Sequence, residues 1–392
     1  MQRQIGRRGF LAASGGLGLA AALAACGGSS TSGSNKTTLA TASTASTTGP
    51  RFDATTEAGD VQVFTWAGYD VPEIWQGYSD GPYGKTSPLQ FQFLTNDQQA
   101  LAKVASGYNP DIIHPCMSYV PTWKAGGLIQ PWDTSLLPDF AGIPSAIAET
   151  GVTDGLQYGL PFDVGFQALT YRADKVPLDA SKESWNVLLD AAYKGKIALF
   201  NDPVTLIKIG ALINAGKPID PSKLDTGQIA AALETMRQVK DNVRTLWESE
   251  IDVANDFANG NLWIAETWQS GYYTIATHPK MKDVPVRFMW PQEGRIAWVC
   301  GMVLNSQSTV PGRAHAAVAA TDTSQVAAWL IDTYQYQSAQ QQGVIDLVKN
   351  KKLIEAFSLN DPSAFAPPRS WFELPLPNRR EYVTAGEELK AS

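Results

Sequence analysis

The chain has 392 residues, 44% of them hydrophobic, and its 31 basic and 38 acidic side chains give a formal charge of −7. An acidic chain argues against nucleic acid as a partner and mildly favours cationic ligands. Three cysteines rule out a disulfide scaffold, and three histidines without metal-ligand spacing give no structural metal site, so neither metal nor cofactor is expected.

The first 25 residues read as an export signal. Arg3, Arg7 and Arg8 form a positive region, Phe10 to Ala25 is apolar, and small residues lead to Cys26. The apolar run is shorter than the roughly 20 residues that span a bilayer. Arg7-Arg8-Gly9-Phe10-Leu11 resembles a twin-arginine signal, and Leu23-Ala24-Ala25-Cys26 resembles a lipobox, which implies a lipid on Cys26 and an extracytoplasmic location, in the periplasm or on the outer face of the cytoplasmic membrane. Residues 26–58 follow as a flexible tether rich in Ser and Thr. Loss of residues 1–25 removes three arginines and no acids, taking the charge from −7 to −10.

About 330 residues remain, more than one core usually serves and enough for two lobes. Val61–Trp66 alternates as a strand, Pro88–Leu94 is a second, Asp97–Ala105 a helix and Asp111–His114 a short strand. That spacing predicts parallel strand–helix–strand units. Further on, Trp185–Tyr193, Pro203–Ala215, Ile229–Lys240 and Ser324–Gln337 read as helices. Lys196–Phe200, Asn261–Thr267, Val284–Trp290 and Ile296–Leu304 read as strands. Open α/β sheets bind ligands beyond the carboxyl ends of their strands. Trp66, Tyr69, Ser118, Tyr119 and Trp268 sit at such ends, whereas Trp298 lies inside its strand.

Several motifs then occur in order. Phe64-Thr65-Trp66-Ala67-Gly68-Tyr69 resembles "NWxxY", and Gly126-Gly127-Leu128-Ile129-Gln130-Pro131-Trp132-Asp133 follows "GLIQxxD". Tyr158-Gly159-Leu160-Pro161-Phe162 resembles "YxxPY". Ser184-Trp185-Asn186-Val187-Leu188-Leu189 with Tyr193-Lys194-Gly195-Lys196 is similar to "SWxxLWxPxYKGK". Together they resemble the solute-binding components of bacterial ABC importers, in the spermidine/putrescine-binding branch. The resemblance covers residues from about 60 to 305. It implies an α/β periplasmic-binding-protein fold of the second type, with two lobes, each a mixed sheet flanked by helices, and the ligand cleft between them. Lobe I would take residues 59–167 and about 298–347, and lobe II residues 168–297 and about 348–392. Crossovers would fall near Phe166–Thr170 and Arg295–Trp298. A monomer with no enzymatic activity would capture a small solute and deliver it to a membrane permease.

A polyamine site needs aromatic faces for the methylene chain and carboxylates for the amines. Trp66, Tyr69, Trp268 and Trp298 match the branch's aromatic positions, with Trp371 a weaker candidate. Asp202 matches one acid, but Thr205 and Cys300 stand where the branch has acids. Glu266 would share a strand face with Trp268 and is expected to compensate, with Asp70 and Asp163 as further acids. A linear polyamine is the expected ligand, with a smaller or different amine as the alternative. The resemblance also puts Cys116 and Cys300 into the pocket, as a disulfide or as two buried thiols. A secreted thiol enzyme using Cys116 beside His114 is a rival class.

Overall fold

The computed structural model describes residues 52–392. The expected export signal, Cys26 and the expected tether up to residue 51 lie outside the described residues. The tether was expected to reach residue 58, yet Phe52 already packs on His315, with ring centroids 4.9 Å apart. The Glu57 carboxylate accepts the N–H groups of Gly312 and Arg313, the unsatisfied donors at the start of helix Pro311–Thr321. That pairing fixes the chain to the body earlier than composition suggested.

Strand β1 (Val61–Trp66) buries its apolar side chains and runs parallel to β2 (Leu89–Leu94) on one side and to β3 (Ile112–Ile113) on the other. Helix α1 (Asp97–Ala105) starts where the Asn96 side chain accepts the Gln99 N–H. The expected parallel unit is therefore present. Pro115, which has no N–H, stands just past β3, where the ladder ends with His114 N–H donating to the Phe64 carbonyl.

The centre of the sheet is β4 (Gly159–Arg172), paired along its length with other strands and buried throughout except at Arg172. A strand covered on both faces has no polar alternation, so its periodicity is silent. Beyond it come β5 (Ile197–Phe200), helix α2 (Pro203–Ala215), β6 (Val243–Trp247) and β7 (Ile264–Trp268). Strand β8 (Arg295–Asn305) lies antiparallel to β4, from Ile296 opposite Gln167 to Val303 opposite Gly159. The sheet order is β2-β1-β3-β8-β4-β7-β5-β6, and the two segments expected as crossovers lie inside β4 and β8. At Gly165 a Cβ would sit 2.2 Å from the Trp298 ring, so only glycine lets that indole cross the strand.

Helix α2 has the clearest local signals. The Asp202 side chain accepts the Thr205 N–H, Pro203 takes the first turn, and Gly216 closes the helix at φ 58°. The chain finally returns through β9 (Ser370–Phe372), parallel to β8, and ends in α3 (Arg379–Ala391). Helix α3 approaches α2 so closely that a Cβ at Gly386 would meet the Pro203 carbonyl at 2.2 Å.

Two expected helices change shape. Trp185–Tyr193 is two 3₁₀ turns, because Asp190 is extended and its carboxylate caps the second turn at Ala192 N–H. The helix from Ser324 stops at Tyr334, where Gln335 is left-handed (φ 59°) and lets Gln337–Ser338 pair with β4. No helix among the described residues is long and apolar enough to cross a membrane.

Candidate functional site

The carboxyl ends of β1, β3, β5 and β7 open onto one cavity of about 460 Å³. Strand β1 supplies Trp66 and the turn after it Tyr69, and the segment after β3 supplies Cys116, Ser118 and Tyr119. Asp202 and Thr205 come from the start of α2, Trp268 ends β7, and Trp298 and Cys300 project from β8. Glu266, expected to supply a compensating acid, is outside this lining. It is fully buried, with one carboxylate oxygen accepting the Phe200 N–H at 2.9 Å. It shares β7 with Trp268, but its carboxyl is buried against the Phe200 N–H of β5 and does not line the cavity.

The other secondary candidates divide. Asp163 lines the cavity and accepts from the Tyr69 hydroxyl at 2.6 Å and from His114 Nε2 at 3.2 Å, while Thr65 Oγ1 meets His114 Nδ1 at 2.9 Å. Burial first, and then Asp163, push the Tyr69 hydroxyl far above the ordinary tyrosine range, which keeps it a donor. Asp70 lies in a separate surface groove beside Trp75, and Trp371 gives its indole N–H to the Glu293 carbonyl outside the cavity.

Cys116 and Cys300 form a disulfide, with Cα atoms 3.7 Å apart, and both line the cavity. The thiol-enzyme alternative thereby loses its nucleophile, since the thiolate is the reactive form.

Sequence reasoning missed several lining groups. Asp97 opens α1 and accepts the Cys116 N–H at 2.9 Å; burial raises its carboxyl to about 6. Phe200 ends β5 and Asp97 follows β2, so the strand-end rule could have found both. Gln167 comes from β4 and Tyr336 from the segment after the helix ending at Tyr334. Glu373 and Arg379 come from the C-terminal return, where no local pattern announces them. Lys208 on α2, almost wholly buried, pairs with Glu373 at 2.8 Å. Replacing Glu373 with alanine strands that ammonium. A loss of about 2–3 kcal/mol is expected, below the value for fully buried pairs because the Glu373 side chain keeps 27% of its surface in solvent. Urea denaturation measures it, and an unchanged midpoint would mean Lys208 finds another partner.

The aromatic side chains brace one another. Trp268 packs on Phe200 and Trp247 at 5.0 and 5.5 Å, and Trp298 meets Tyr336 edge-on at 5.0 Å. Such rings are held open to a ligand without collapsing on it.

Residues 89–346 match the family described as bacterial extracellular solute-binding protein. The chain belongs to that family. Among curated relatives, the spermidine/putrescine-binding periplasmic protein of Escherichia coli K12 is 24% identical over 196 residues, 50% of this chain and 53% of that protein. The chain thus spans about half the length of this curated relative. Among solved structures, the spermidine/putrescine ABC transporter substrate-binding protein PotD of Streptococcus pneumoniae superposes with a TM-score of 0.66 at 14% identity, covering 85% of this chain and 99% of that one. MotA of Agrobacterium tumefaciens, solved with glucopine, gives 0.61 at 17% identity, covering 84% and 99%. This solute-binding protein therefore has the two-lobed periplasmic-binding-protein fold of the second type that its motifs implied. The fold is shared by proteins with different ligands, so the ligand must be argued from the site.

Proposed function

We propose that this extracellular solute-binding protein is anchored through a lipid on Cys26, captures an amine in the cavity and delivers it to an ABC permease. It acts as a monomer and does no chemistry on its ligand. Export follows the twin-arginine route. Lobe I takes residues 59–167 and about 298–347, lobe II the rest of the body, and closure bends β4 and β8 between them.

The observation that carries the reading is the lining itself. Trp66, Tyr119, Trp268 and Trp298 face the same space as the carboxylates of Asp97 and Asp202. A cation over each ring gains about 0.5–2 kcal/mol, and a carboxylate adds a charge-assisted hydrogen bond. A linear polyamine is one such ligand. A smaller amine is favoured by two particulars: Thr205 and the Cys300 sulfur stand where the polyamine branch has acids, and Asp163 is engaged by Tyr69 and His114.

A thermal-shift screen of the full-length protein against putrescine, spermidine, spermine and smaller amines tests this. A ligand at 100 times its Kd adds about 2.7 kcal/mol to stability. A shift with a polyamine supports the polyamine reading, and a shift only with smaller amines supports the second. Silence with every amine removes both.

A further inference from the structure

The cavity holds two cationic side chains, and they differ. Lys208 is neutralised by Glu373 at 2.8 Å. Arg379, at the start of α3, has no carboxylate partner among the described residues, and its Nε is buried without a hydrogen-bond partner. Its guanidinium lies 5.1 Å from the centroid of the Tyr119 ring. Asp97, Asp202 and Glu373 also act on Tyr119, so positive and negative groups converge on one part of the cavity. Two neutral lining groups add one free acceptor and one free donor. Gln167, only 5% exposed, leaves its carbonyl oxygen unpaired, and Trp298 leaves its indole N–H unpaired.

An unpaired guanidinium is a liability in a site built for a polycation, because it repels the charge the site must hold. It is an asset where the ligand brings an oxyanion, since the planar fork matches a carboxylate with two parallel hydrogen bonds. Unpaired acceptors suit an ammonium, and unpaired donors suit a carboxylate. We infer that the ligand is a zwitterion, an amine that also carries a carboxylate, and that Arg379 holds the carboxylate while Asp97, Asp202 and Gln167 face the ammonium. This rests on the amine-binding reading and narrows its substrate class.

The test is isothermal titration of the full-length protein with three ligands of similar length: 5-aminovalerate, putrescine and n-butylamine. They share an ammonium and differ at the far end, which is anionic, cationic or apolar. Wild-type protein is expected to bind 5-aminovalerate at least about 10-fold more tightly than putrescine. Arg379→Gln weakens 5-aminovalerate by about 10–100-fold, the range for a hydrogen-bonded charge, and leaves putrescine unchanged or tighter. Arg379→Lys keeps the charge without the fork and recovers part of the loss, which separates recognition from a folding defect. Tighter binding of putrescine by wild type, or equal weakening of both ligands in Arg379→Gln, overturns the inference and leaves amine binding standing. Binding of none of the three overturns both.

Discussion

Replacing Cys116 and Cys300 together by serine is expected to lower the unfolding free energy by about 2–5 kcal/mol. The bridge spans 184 residues of sequence, so it removes a large loop from the unfolded ensemble. The chain-entropy relation gives roughly 5 kcal/mol for a loop of that length, and native bridges commonly deliver somewhat less. At the unfolding entropy typical of a body of this size, the change is about 5 °C in Tm. The bridge also joins the segment after β3 to β8 across the cavity wall, so the same variant should bind ligand more weakly. Calorimetric melting in oxidising buffer measures the stability, with a reductant added to the wild type as the matching control. Equal Tm for wild type and double variant in oxidising buffer would show that the bridge contributes nothing to stability. A Tm in the double variant that still falls with reductant would point to another source of the effect.

Much of the fold was legible because the signals were local. Asp202-Pro203 and Gly216 bracket α2 with a cap, a first-turn proline and a left-handed stop, and the structure has those same bounds. The alternation of Val61–Trp66 gave β1 without error. Strand β4 was not legible as a strand, because its neighbours bury both faces and its interior polar groups, Asp163, Gln167 and Thr170, fall on no regular period. Trp185–Tyr193 misled because its apolar spacing is helical, while Asp190 prefers to cap the backbone beside it. At the site, the strand-end rule located Trp66, Tyr119 and Trp268, since topology fixes where parallel strands finish. It could not reach Glu373 or Arg379. Those side chains enter the cavity only because β9 pairs with β8, from Ser370 opposite Arg295, and carries the C-terminal chain back. The cysteines were open to either pairing or separate burial in the sequence. They meet because β3 and β8 are neighbours, with Ile113 opposite Val303.

Glu266→Gln is expected to stabilise the protein at pH 8 and above by roughly 3–6 kcal/mol and to change little near pH 4.5. Burial raises this carboxyl to about 8; the Phe200 N–H opposes the shift, and Asp202, Glu250 and Glu373 add to it. The unfolded chain releases the same proton near the ordinary 4.5. Between those values the folded state binds more protons than the unfolded state, so stability falls as pH rises through the window and levels off above it. Glutamine imitates the neutral acid: its carbonyl oxygen can accept the Phe200 N–H, and it has no proton to lose. Glu250 and Asp322, each raised to about 7 by burial, and Asp97, raised to about 6, slope the same way, so the wild type as a whole should melt lower at pH 8 than at pH 5. The variant should lose the largest single share of that fall. Melting curves of both proteins at half-unit steps from pH 4.5 to 9 decide it. Profiles that remain parallel would mean Glu266 is ionised in the folded state at neutral pH, with water or a rearranged donor reaching its unpaired oxygen.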